Sequence, residues 1–158
     1  HVAIGRQHPV IGGLRGDASG AMLAVMARLV VCDDDDEFTT ILVSYLEKDG
    51  HAVSCCADVN QLAQLLGHEQ IDLLIMDMQM PAGGGPAVTS LLKKSNAQDL
   101  PVIVCSGMPT EAQKSWCSGL LRARFMQKPI DFATMRKAIA ELLAPSKTTC
   151  RGGGEARP

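Results

Sequence analysis

Acidic, hydroxyl and amino side chains stand where four of the five predicted strands of this chain end. Asp33 and Asp34 follow the first strand, Asp77 the third, Ser106 the fourth and Lys128 the fifth. Carboxylates that converge on one place repel one another and stay ionised only if a cation neutralises them. A hard divalent cation with oxygen ligands meets that need, and Mg²⁺ is the usual one. The set predicts a magnesium site with a hydroxyl and an amine beside it.

The segments between these residues alternate between two kinds of apolar pattern. Short, mostly apolar runs at 29–32, 52–56, 73–76 and 102–105, and a short fifth strand at 124–127, alternate with segments of helical period at 38–46, 59–66, 88–92, 111–120 and 132–142. Runs without alternation suit strands that helices cover on both faces, and parallel neighbours need such helical crossovers. The sequence therefore predicts an α/β fold, a doubly wound five-stranded parallel sheet flanked by five helices. Ligands bind such sheets beyond the carboxyl ends of the strands.

Composition favours one globular domain, since 158 residues are 46% hydrophobic and 20% charged. The formal net charge is −2, and no stretch concentrates Lys and Arg, so we expect no direct binding to nucleic acid. The apolar runs are far shorter than the roughly 20 residues that cross a bilayer. We therefore expect no membrane association and a cytoplasmic protein.

Glycine-rich segments without periodicity stand at both ends. We expect a flexible N-terminal extension over 1–27, one domain over 28–144 and a disordered C-terminal tail over 145–158. Four cysteines lie in or beside the apolar runs, and they are Cys32, Cys55, Cys56 and Cys105. We interpret them as small buried hydrophobic side chains in a reducing compartment.

Each polar residue at a strand end also has an ordinary structural interpretation. An acidic run before a helix is typical of an N-cap, and Asp77 ahead of a proline and three glycines could begin a turn. Ser106 and Lys128 taken singly would be a loop hydroxyl and a solvated surface amine. The functional interpretation is favoured because all of them fall at the same edge of the predicted sheet.

The motifs at 31–34, 77–81, 105–107 and 128–129 resemble those of response regulator receiver domains in two-component signal transduction, the CheY-like superfamily. The resemblance extends from about 28 to 143. It implies a flavodoxin-like receiver fold for residues 28–144. It also implies a phosphoprotein that takes a phosphoryl group from a histidine kinase or phosphotransfer protein and signals by contact with another protein.

The resemblance also implies a role for each acidic residue of the site. Asp77 is the expected phosphoacceptor. Asp34 and Asp77 are expected to bind Mg²⁺ directly, the backbone carbonyl of Gln79 to supply a further ligand, and Asp33 to act largely through water. The chain would then catalyse only its own phosphorylation and dephosphorylation.

The remaining motif residues would contact the phosphoryl group or report its presence. Ser106 and Lys128 are expected to bind the phosphoryl oxygens. Phe125 stands where the family has a switch aromatic residue, and the peptide bond before Pro129 is commonly cis. The downstream partner is expected on the face formed by the fourth helix, fifth strand and fifth helix.

Two departures from the family pattern and several alternatives remain. Gly84 and Gly85 replace the usual Asp-Gly, which suggests a looser loop, and 118–124 does not match the usual turn. Two alternative functions remain: a receiver-like interaction module that is not phosphorylated, and the receiver portion of a hybrid histidine kinase. A phosphohydrolase would need an acid where Gln79 stands, and a nucleotide-binding protein would need a glycine-rich loop after the first strand.

Overall fold

A computed structural model of the chain describes residues 26–145. The predicted N-terminal extension, 1–27, and C-terminal tail, 145–158, lie outside the described residues except for 26, 27 and 145. None of the helices within 26–145 has the length and apolar composition that crossing a membrane requires.

Five strands alternate with five helices along the chain. In order they are β1 (Arg28–Cys32), α1 (Asp36–Lys48), β2 (Ala52–Cys56), α2 (Val59–His68), β3 (Leu73–Asp77), α3 (Gly84–Lys94), β4 (Val102–Ser106), α4 (Glu111–Ser118), β5 (Ala123–Gln127) and α5 (Phe132–Leu143). The strands form one parallel sheet in the order β2-β1-β3-β4-β5. The predicted fold class is confirmed.

Side-chain caps begin four of the five helices. Asp35, Asp58, Thr110 and Asp131 each accept a hydrogen bond from the backbone N–H three residues later. Such a bond satisfies one of the N–H groups that the first turn of a helix leaves without a partner. The exception is α3, whose N-cap residue, Gly83, has no side chain. Local sequence therefore determines where most helices begin.

Two apolar cores lie on opposite faces of the sheet. Leu29 and Val31 of β1 pack with α1 and α5, whereas Val30 and Cys32 pack with α2, α3 and α4. Every residue of β3 and β4 is buried, as expected for central strands covered on both faces. The two cores hold the central strands rigidly, and the ends of those strands carry the polar residues.

Cysteine burial differs from the prediction at one position. The five cysteines between 26 and 145 form no disulfide, and Cys32, Cys56 and Cys105 are buried as predicted. Cys55 is exposed, so its predicted burial was wrong. It lies on β2, an edge strand, where the outward-facing positions meet solvent.

The strand register brings the polar residues to one edge. Asp77 is the last residue of β3 and pairs with Cys105, next to Ser106 at the end of β4. Asp33 directly follows β1, and Lys128 directly follows β5. All therefore lie at the carboxyl edge of the sheet, where parallel α/β folds bind their ligands.

Candidate functional site

Three carboxylates converge at the carboxyl edge of the sheet. Asp33, Asp34 and Asp77 each place an oxygen within 4.8 Å of the others. Asp33 and Asp77 are 4% and 7% exposed, while Asp34 is open to solvent. Because β1 and β3 are adjacent strands, residues distant in sequence meet here, as the sequence predicted.

Lys128 supplies a positive charge to this cluster. Its Nζ lies 2.6 Å from Asp33 Oδ2 and 3.4 Å from Asp77 Oδ1. The same Nζ lies 4.2 Å above the centre of the Phe38 ring, a cation–π contact from the first turns of α1. Burial lowers the pKa of Lys128, but the two carboxylates more than offset this, so that its pKa is raised. The side chain is therefore an ammonium at neutral pH.

Hydrogen bonds from the backbone orient the two buried carboxylates. Asp33 Oδ1 accepts from the N–H of Asp35 at 2.9 Å, and its Oδ2 is paired with Lys128. Asp77 Oδ2 accepts from the N–H of Gln79 at 3.1 Å. Both oxygens of Asp33 therefore already have a partner, whereas Asp34 faces solvent.

Burial and neighbouring charges have opposing effects on the pKa of the Asp77 carboxyl. Burial, the largest effect, raises the pKa of its carboxyl, Lys128 lowers that pKa, and the charge of Asp33 raises it. The net direction is upward. Burial therefore costs the Asp77 carboxylate part of its hydration shell, and the Lys128 ammonium offsets only part of that cost.

Ser106 is wholly buried, and its hydroxyl is engaged with α4. Its Oγ donates to Oε1 of Gln113 at 3.3 Å. Its backbone carbonyl accepts from the N–H of Lys128 at 2.8 Å, which ties the end of β4 to the residue after β5. The structure thus brings Ser106 to the same edge as the carboxylates and directs its hydroxyl toward α4.

The loop after Asp77 is closely packed. Ala82, Gly83 and Gly84 have φ angles of 66°, 109° and 54°, in the left-handed region that favours glycine. A Cβ at Gly84 would stand 2.6 Å from the backbone oxygen of Met78. Gly84 and Gly85 are both buried and are the first two residues of α3, so the structure does not have the looser loop that was predicted there.

The other predicted residues lie around the site. Phe125, half-buried on β5, packs against the core shared by α2, α3 and α4. The Lys128–Pro129 peptide bond is cis, and Pro129 is exposed. The contact of Phe38 with Lys128 was not predicted from the sequence, because Phe38 was interpreted only as one of the apolar residues that repeat along α1. Gln113 was also not predicted, although Thr110 followed three residues later by glutamine is a readable capping-box signal.

Most of the chain matches a known protein family. The family model described as "Response regulator receiver domain" matches residues 29–140. The chain belongs to this family. Protein PilH of Pseudomonas aeruginosa is 31% identical to this receiver domain over 120 residues, which cover 75% of the chain and 99% of PilH. The predicted resemblance is confirmed.

Other relatives cover the same part of the chain. The sensory/regulatory protein RpfC of Xanthomonas campestris is 28% identical over 123 residues, 76% of this chain but 17% of RpfC. Chemotaxis protein CheY4 of Vibrio cholerae has a TM-score of 0.69 at 20% identity, covering 75% of this chain and all of that one. The receiver domain of sensor histidine kinase PA1611 from Pseudomonas aeruginosa, solved with a magnesium ion in its active site cleft, has a TM-score of 0.68 at 17% identity. It covers 77% of this chain and 100% of that one.

Proposed function

We propose that Asp77 accepts a phosphoryl group from the phosphohistidine of a histidine kinase or phosphotransfer protein. The observation that carries the proposal is the placement of this buried carboxylate, at the end of a central strand, beside Asp33, Asp34 and the Lys128 ammonium. One nucleophile, an acidic pair and a cation are the parts that phosphoryl transfer to a carboxylate requires.

The acidic cluster fits a magnesium ion. Three carboxylates and one ammonium leave an excess of negative charge, and their oxygens lie within 4.8 Å of one another. Asp34, Asp77 and the backbone carbonyl of Gln79 would hold the ion directly, and Asp33, whose Oδ2 forms the shorter ion pair with Lys128, would hold it through water. The magnesium ion in the PA1611 receiver domain supports this assignment. When bound, Mg²⁺ neutralises charge on the phosphoryl oxygens.

The residues of the chain perform the remaining chemistry. A carboxylate oxygen of Asp77 attacks the phosphorus, a P–O bond forms, and the P–N bond of the phosphohistidine breaks. The electron pair of that bond stays with the departing imidazole nitrogen. Lys128 lowers the pKa of Asp77 before the attack and attracts a phosphoryl oxygen after it, and Ser106 donates a hydrogen bond to another. The chain acts as a catalyst on itself alone.

We place the output of the domain on the face formed by α4, β5 and α5. Phe125 lies on β5 between solvent and core, so a change in its burial would alter that face. A partner protein would read the change by contact. The free cysteines within residues 26–145 suit a reducing compartment, so we place this exchange in the cytoplasm.

The match to a short part of RpfC favours a second arrangement with the same chemistry. A receiver segment of a hybrid kinase would take its phosphoryl group from a histidine in its own polypeptide. Asp77 and its neighbours would act identically. Finding the gene that encodes residues 1–158 and reading the sequence on either side of it distinguishes the two.

Phosphoryl labelling tests the assignment of Asp77. With Mg²⁺ and acetyl phosphate, or with a phosphorylated histidine kinase, the intact mass should rise by one phosphoryl group, acid-stable and base-labile. Asp77→Asn, of nearly the same size but without a nucleophilic carboxylate, should stay folded and gain none. A chelator should abolish labelling of the wild type. Equal labelling of Asp77→Asn would reject Asp77, and no labelling with any donor would favour an interaction module that is never phosphorylated.

A further inference from the structure

A single side-chain carbonyl joins the end of β4 to the first turn of α4. Oε1 of Gln113 accepts from the hydroxyl of Ser106 at 3.3 Å and from the N–H of Thr110 at 3.1 Å. The backbone N–H of Gln113 donates to the Thr110 hydroxyl at 3.2 Å, which completes a capping box. Gln113 therefore connects a residue of the proposed site to the helix of the proposed output face.

The Ser106 hydroxyl has one proton to donate. Ser106 is 0% exposed, so solvent cannot take the place of a lost partner, and a buried hydroxyl needs one. The hydroxyl cannot donate to Gln113 and to a phosphoryl oxygen at the same time. The two acceptors compete, and a charged phosphoryl oxygen forms the stronger hydrogen bond.

We propose that Gln113 is a positioning residue that holds the Ser106 hydroxyl toward α4 until a phosphoryl group on Asp77 draws it away. The inference rests on the proposed phosphorylation of Asp77. The bond of 3.3 Å is long for O–H···O, so it delays the exchange without preventing it. Gln113 thereby lowers the rate of phosphorylation and makes the start of α4 sensitive to it.

The construction of α4 suits this role. The helix has eight residues, of which Cys117 is buried, so its first turn depends largely on the capping box. Trp116 of the same helix lies against the start of α3, since a Cβ at Gly85 would stand 3.1 Å from its ring. A small change at Gln113 can therefore shift α4 against the start of α3, and the fluorescence of Trp116 reports that shift.

The hydrogen bond itself is tested without phosphorylation by a double-mutant cycle. Gln113→Met keeps the length of the side chain but removes the acceptor, and Ser106→Ala removes the donor. In urea unfolding of the unphosphorylated protein, the double variant should shift the midpoint by less than the sum of the two single shifts. Additive shifts would show that the two side chains do not interact and would overturn the proposal.

The effect on phosphorylation is tested with acetyl phosphate and Mg²⁺. Gln113→Met should raise the maximal rate about 2- to 5-fold, a ratio that corresponds to the lower part of the range of net free energies for one neutral hydrogen bond. The half-saturating donor concentration should stay unchanged. Gln113→Glu, which keeps both contacts with a stronger acceptor, should fall below the wild type. Thr110→Ala weakens the same cap but leaves the Gln113 carbonyl bonded to Ser106, so its rate should stay within 2-fold of the wild type.

The outcomes separate this inference from the proposed function. A wild type that gains no phosphoryl group defeats both. A wild type that is labelled at Asp77, with Gln113→Met no faster than Thr110→Ala, defeats the role of Gln113 alone. A faster Gln113→Met together with an equally fast Thr110→Ala would mean that α4 stability, rather than the bond to Ser106, controls the rate, and would also overturn it.

Discussion

Removing the ammonium of Lys128 should destabilise the metal-free protein strongly. Lys128→Met keeps the apolar stem but leaves Asp33, whose side chain is 2% exposed, and Asp77 without their counter-charge. At 2.6 and 3.4 Å each attraction is on the order of 5 kcal/mol for an effective dielectric constant of about 20, much of which offsets the cost of burying the charges. We expect a net loss of about 2–4 kcal/mol, a large part of the roughly 5–15 kcal/mol by which domains are stable.

Urea unfolding followed by the fluorescence of Trp116 measures this loss. With a slope of about 1–3 kcal/mol per molar urea, the midpoint should fall by on the order of 1–2 M. Lys114→Met is the matched control, because Lys114 lies 2.9 Å from Glu111 in an ion pair whose side chains are 48% and 91% exposed. Exposed pairs contribute about 0–1 kcal/mol, so the control should shift the midpoint little.

Magnesium provides the second half of the test. Without the ammonium, the carboxylates have a greater excess of charge, so Mg²⁺ should bind Lys128→Met more tightly than the wild type and stabilise it more. Asp34→Ala, which lacks a proposed direct ligand, should gain less stability from Mg²⁺ than the wild type. The electrostatic account of the site is wrong if Lys128→Met and Lys114→Met have the same urea midpoint without metal. It is also wrong if Mg²⁺ stabilises the wild type, Lys128→Met and Asp34→Ala equally.

Two further predictions concern the backbone and pH. Gly84→Ala should lower the free energy of unfolding by about 2–4 kcal/mol, because its Cβ would meet the Met78 oxygen at 2.6 Å. Gly50→Ala, at φ 90° with open space around it, should lose only about 1–2 kcal/mol, the cost of a left-handed conformation. Equal urea midpoints for the two variants would contradict the close approach at Gly84. Burial lowers the pKa of His51, whose Nδ1 accepts from the N–H of Ala27, and the nearby carboxylate of Asp49 offsets only part of this effect. The unfolded chain therefore binds more protons than the folded protein, so stability should fall as pH drops below the ordinary value of 6.5. His51→Asn should remove that part of the pH dependence, and an unchanged slope of unfolding free energy against pH would reject it.

Local signals in the sequence were sufficient to predict the elements and the polar residues that meet at the carboxyl edge of the sheet. Apolar runs and helical periods predicted five strands and five helices, and acidic or hydroxyl N-cap residues such as Asp35 and Thr110 mark where helices begin. Parallel connectivity then required Asp33, Asp77 and Ser106 to meet at one edge. These features follow from neighbouring residues and from general rules of sheet topology.

Side-chain geometry within the site could not be predicted in the same way. Gly84 and Gly85, expected in a looser loop, are buried at the start of α3, where the Met78 oxygen lies close to Gly84. The exposure of Cys55 depends on β2 being an edge strand. Neither outcome follows from adjacent residues alone, because the ring of Trp116 in α4 lies beside Gly85 and strand order places β2 at the edge of the sheet.

By itself, the sequence determined which chemical groups reach the carboxyl edge of the sheet, because strand and helix periods are local properties. Only the tertiary structure decided which atoms touch. Lys128 meets Asp33 across 95 positions of sequence, and the Ser106 hydroxyl turns to Gln113. The physical reason is that strand order and register set the distances between backbones, and the packing of both cores then selects one rotamer for each side chain.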